Sequence, residues 1–150
     1  MKSLLPFVLA SFFASPLAAQ NATDPALEAV FGMSAEKDLQ QFVWKKRPVV
    51  VFADSDADPR YAEQIELLME GLADLAERDV VVLTDTDPAA QSDLRLKLRP
   101  RGFMLVLIGK DGGVKLRKPF PWDVREISRS LDKMPMRKRE IREEKEASDS

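Results

Sequence analysis

The sequence predicts an α/β sandwich: a central sheet of two parallel strands plus an antiparallel hairpin, with helices on both faces. Three observations predict it. Two continuous β-branched and aromatic runs, 49–53 and 80–83, read as strands covered on both faces. Between them Tyr61, Ile65, Leu68, Leu72 and Leu75 recur at spacings of four and three, the stripe of an amphipathic helix. A third run, 103–108, is followed by Lys110-Asp111-Gly112-Gly113 and a further strand through Leu116, which marks a hairpin.

Taken in order, residues 1–19 have the layout of a secretory signal peptide. Lys2 precedes an apolar run from Leu4 to Phe13, then Ser15-Pro16 and small residues up to Ala18-Ala19. The run is shorter than the roughly 20 apolar residues of a membrane span. The expectation is cleavage near Ala19 and an exported chain, periplasmic or secreted, with no stable membrane anchor afterwards. Asn21-Ala22-Thr23 fits a glycosylation acceptor.

Residues 20–46 read as an N-terminal helical extension. Asp24-Pro25 opens a short helix with Ala26, Leu27, Val30 and Phe31 on one side, closed by Gly32. Ser34 is expected to cap a second, with Leu39, Phe42 and Val43 on its apolar face, ending near Trp44. The main domain spans 47–136. Its first long helix is expected to run about five turns from Pro59. Asp58-Pro59 and Asp87-Pro88 each pair a cap acceptor with proline at the first helical position.

After Pro88 the pattern is ambiguous. Ala90, Leu94 and Leu98 keep a helical spacing, while Leu94, Leu96 and Leu98 alternate with Arg95, Lys97 and Arg99 as in a half-buried strand. We read a helix decaying into an extended segment before Pro100. A last helix near Trp122 carries Val124, Ile127, Leu131 and Met134. Residues 137–150 read as a charged tail, a helix end passing into disorder.

Strand, helix, strand, helix, hairpin, helix is the connectivity of a thioredoxin-like sandwich. A flavodoxin-like sheet would need a further parallel strand and helix.

The chain of 150 residues contains no cysteine and no histidine. Thiol redox, a cysteine nucleophile, a Ser-His triad, an imidazole base and an ordinary zinc site are therefore closed to it, and no cofactor is indicated. A slightly acidic net charge of −2 without an interleaved aromatic platform argues against nucleic acid as a partner.

Chemistry must rest on carboxylates, Lys, Arg, Tyr and backbone. Asp54 and Asp56 follow the first strand, and Asp85 follows the second, at the edge where open α/β sheets place ligands. A calcium loop counted from Asp54 would want glycine sixth and glutamate twelfth, but Pro59 and Ile65 stand there. A phosphoryl-transferring aspartate pair would need further motifs that are absent. Asp54, Asp56 and Asp85 could still form a metal-dependent enzyme site. Arg95, Lys97, Arg99 and Arg101 read as an anion site or, more simply, as the polar face of an amphipathic segment. Tyr61 falls on the apolar face, and Met134 and Met136 around Pro135 read as core closure.

Three stretches, "VVVFADSDADPRY", "FMLVLIGKDGGVKLR" and "LDKMPMR", resemble a bacterial exported family of unknown function. That family is grouped as P-DUDES with domains of vertebrate sushi-repeat and equarin-type extracellular proteins. The resemblance spans residues 42–142 and implies a thioredoxin-like fold with no established activity. Where redox thioredoxins carry Cys-x-x-Cys, this chain has "DSDADPRY"; Met104 falls at their cis-proline, and Pro100 comes too early. The expectation is a non-redox binding module that engages an exported protein or small ligand through Asp54, Ser55, Asp56, Arg60 and Arg101.

Overall fold

A computed structural model describes residues 23–150. The expectations for 1–19 and for Asn21 lie outside the described residues. The β-branched runs form β1 (Arg47–Phe52) and β2 (Val80–Asp85), paired parallel with Arg47 opposite Val80 and Phe52 opposite Asp85. β3 (Met104–Ile108) lies antiparallel on the other side of β1, and β4 (Val114–Lys118) closes the hairpin, giving the order β2-β1-β3-β4. The fold is the thioredoxin-like sandwich that the connectivity predicts.

Alternation along the strands sends side chains to two cores. Val49, Val51, Val80, Val82, Leu105 and Leu107 face one way. They are covered by α1 (Pro25–Phe31), α2 (Pro59–Glu70), α3 (Leu72–Glu77) and α5 (Val124–Asp132) through Val30, Leu68, Leu75, Ile127 and Leu131. Val50, Phe52, Val81, Leu83, Val106 and Ile108 face the other way, under α4 (Asp93–Leu98) and a 3-10 turn at Leu39–Phe42. Tyr61 and Met134 pack against the first core, as their positions predict.

Several local expectations are corrected. The long helix after β1 is two helices, broken at Gly71. A β-carbon there would stand 2.5–2.6 Å from the Cβ and both Cγ atoms of Val124, so the break lets the start of α5 close on the helix pair. Gly71→Ala should therefore destabilise the chain by about 1–3 kcal/mol through overpacking, measured by urea unfolding.

The second N-terminal helix is only the 3-10 turn, capped by Asp38 rather than Ser34; the Gln40 amide donates to Asp38 Oδ1 at 2.9 Å. The segment after Pro88 is a short 3-10 turn followed by α4, capped by Ser92 and ended by Arg99 in a left-handed conformation, not in an extended one. Ordered helix also replaces the expected disorder at the carboxyl end. It is α6 (Pro135–Ser148), and its Arg137 is buried.

Candidate functional site

The candidate edge begins where burial ends. Ala53 is fully buried, and Asp54, Ser55, Asp56 and Ala57 after it are exposed. The loop is shaped by its own polar groups: Ser55 Oγ accepts the Ala57 amide at 3.1 Å, and Ser55 O accepts the Asp58 amide at 3.2 Å. Asp58 then caps α2 as expected, accepting the Arg60 amide at 2.9 Å.

Asp58 does one thing more. Its carboxylate accepts Arg60 Nε and Nη2 at 3.2 and 2.9 Å, and the bonds from Arg60 hold its pKa below the usual range. Arg60 reaches across to the residue before β3, its guanidinium carbon 5.6 Å from the Phe103 ring centre. Exposed Arg101 lies two residues before that ring. Asp54 and Asp56 make no ion pair among the described residues.

Asp85 and Arg95 differ from their expected roles. Both are buried, at 3% and 9% side-chain exposure. Asp85 Oδ1 accepts Arg95 Nε at 2.8 Å and the Asp87 amide at 3.1 Å, while Oδ2 accepts from Ser92 Oγ. Lys37 Nζ adds a cation at 3.9 Å. Burial pushes the Asp85 carboxyl up, but the bonds from Ser92 and Arg95 outweigh it and leave it lowered.

Arg95 Nη2 also donates to Ala53 O at 2.6 Å and Asp85 O at 3.0 Å, while its guanidinium stands 5.4 Å from the Phe52 ring centre. One side chain thus ties the residue after β1 to the last residue of β2 beneath the exposed loop. Arg95 is therefore no solvent-facing anion site, whereas Lys97, Arg99 and Arg101 are exposed. Among the described residues no group of three acidic side chains could hold a metal ion, so Asp54, Asp56 and Asp85 are not brought together. The α4 spacing contained a signal for Arg95: it lies one residue after Leu94 and three before Leu98, on the inward arc.

Asp87 is the failed cap. Among the described residues its side chain accepts no capping bond, while the Asp87 amide donates to Asp85. Asp58→Ala should lower the melting temperature by about 2–4 °C, and Asp87→Ala should leave it unchanged. Thermal unfolding of the two variants side by side checks the contrast.

At the opposite end of the sheet, Arg47 is 1% exposed and donates to both oxygens of Glu140 at 3.1 and 3.0 Å. Lys110 Nζ joins the same carboxylate at 2.8 Å and Arg137 at 3.4 Å. Burial pushes Glu140 up, but the bonds from Arg47 and Lys110 outweigh it and hold the carboxyl at about 2.

Against known proteins, the family model described as "Domain of unknown function (DUF4174)" matches residues 38–140. The Coiled-coil domain-containing protein 80 of Danio rerio is 29% identical over 138 residues, covering 72% of this chain and 16% of that protein. The chain thus spans a small part of that relative's length. Among solved structures, the reduced 2-Cys peroxiredoxin of Plasmodium vivax superposes with a TM-score of 0.50 at 22% identity, over 63% of this chain and 80% of that one. The mitochondrial 2-Cys peroxiredoxin of Plasmodium falciparum gives 0.42 at 18% identity, over 63% and 79%. The Plasmodium vivax likeness is one of fold alone.

Proposed function

We propose that this chain, which belongs to the DUF4174 family, is a non-redox binding module that engages a protein partner through Asp54, Ser55, Asp56, Arg60 and Arg101. One observation carries the reading. The loop after β1, where a redox relative would carry thiols, is an exposed face of carboxylates and guanidinium groups, braced from beneath by the buried Asp85–Arg95 pair.

A braced loop loses little conformational freedom on binding, which favours affinity. Cavities of about 490, 200 and 240 Å³ among the described residues are lined by other residues. An exposed, charged face suits a protein surface better than a small ligand. The same reading takes the chain as an exported member of the P-DUDES group, bacterial in origin, and periplasmic or secreted. No described helix is long and apolar enough to cross a membrane.

The test is quantitative capture from native extract with immobilised wild type, Asp56→Ala/Arg60→Ala, and Lys138→Ala on α6 as a distant control. The edge variant should lose partners that wild type and the control retain. Identical profiles for all three would refute the choice of face.

A further inference from the structure

The far end of the sheet carries a second feature that the binding edge does not use. Gly109 and Lys110 leave β3 beside Arg47 at the start of β1, and Met134-Pro135-Met136 lead into α6 next to them. Between them lies a cleft of about 200 Å³. Its walls differ in chemistry. Met134, Pro135 and Met136 supply soft apolar surface that adapts to irregular shapes.

Lys110 and Lys115 supply donors. Lys110 Nζ, 11% exposed, donates to Asp79 Oδ2 and Glu140 Oε1, both at 2.8 Å, which leaves one of its three ammonium protons. Lys115 Nζ donates to Asp111 Oδ2 at 2.8 Å and keeps two. Three cations line the cleft, Arg47, Lys110 and Lys115, against the one carboxylate of Asp111, which already accepts from Lys115 and the Gly113 amide. The free polar capacity of the cleft is thus donor capacity in a cation-rich setting. It calls for an acceptor with negative charge.

Size narrows the class. The volume falls below the roughly 300–1,000 Å³ of pockets for drug-sized molecules, and each water takes about 30 Å³ of liquid, so a short chain fits and a nucleotide does not. We propose that this cleft binds a small organic anion, a carboxylate on a short apolar chain, with the carboxylate on Lys110 and Lys115 and the chain against Met134 and Met136.

The test is a titration of the full chain, 13C-labelled at its methionine methyls, with hexanoate, hexylammonium and 1-hexanol. Hexanoate should shift the Met134 and Met136 signals saturably, with a Kd of order millimolar, while Met33, Met69 and Met104 stay in place. Hexylammonium and 1-hexanol should bind at least about tenfold more weakly. Lys115→Gln, a change on an exposed position of β4 that leaves the buried network intact, should weaken hexanoate about three- to tenfold with the other methionine signals unmoved. No saturable shift at Met134 and Met136, an equal response to the amine or the alcohol, or unchanged hexanoate affinity in Lys115→Gln would each overturn the proposal.

Discussion

Arg95→Leu should lower the unfolding free energy by about 3–5 kcal/mol in urea at pH 7, the range for breaking one side of a buried ion pair. The variant leaves Asp85, 3% exposed, with Ser92 and the Asp87 amide but without the guanidinium bonded to its Oδ1, and takes the donor from Ala53 O and Asp85 O. The pH dependence identifies the cause. Asp85 has a folded pKa below its ordinary 3.8, so its contribution is complete above about pH 4 and is lost as pH falls through the folded value. The gap between wild type and variant should therefore be widest near neutrality and shrink in acid. Arg95→Leu/Asp85→Leu should recover much of the loss, since two apolar groups leave no stranded charge. Equal loss in the single and double variants would mean that packing, not pairing, holds this site.

Glu140→Gln should cost roughly 3 kcal/mol at pH 7, as the difference between an ordinary 4.5 and a folded value of about 2 implies. The amide leaves the buried guanidinium of Arg47 without its counter-charge and unties α6 from Lys110. A depressed carboxylate stabilises fully above its unfolded pKa, so the difference from wild type should persist above pH 4.5 and vanish between about 4.5 and 2. Urea titrations at pH 7 and pH 3 check it, and hydrogen exchange should show α6 opening first.

The sheet was legible because β1, β2 and β3 are buried on both faces and therefore written as unbroken runs such as Val49–Val50–Val51–Phe52. The cap at Asp58 was legible because a cap is local, satisfied within two residues. What escaped depended on partners distant in sequence. Gly71 lies within a continuous helical stripe, and the sequence does not show that Val124 packs where its β-carbon would stand. Gln64 looks like a surface residue, yet it is fully buried and exchanges two 2.8 Å hydrogen bonds with the Trp122 backbone.

The candidate edge was half legible. Its exposed residues lie where the strand-to-helix pattern puts them, but the pairing of Asp85 with Arg95 was not legible, because an ion pair ten residues apart has no periodic signature. Arg137 and Glu140 sat inside a run of alternating charge that composition assigns to solvent; Arg47 and Lys110, from two different strand ends, draw them inward.

Hydrogen exchange of the full chain, alone and in the complex captured from native extract, tests the binding-edge account most directly. The account predicts slowed exchange at 54–60 and 101–103 in the complex, lost with Asp56→Ala/Arg60→Ala. Slowing confined to 109–115 and 134–140, or absent throughout, would contradict it.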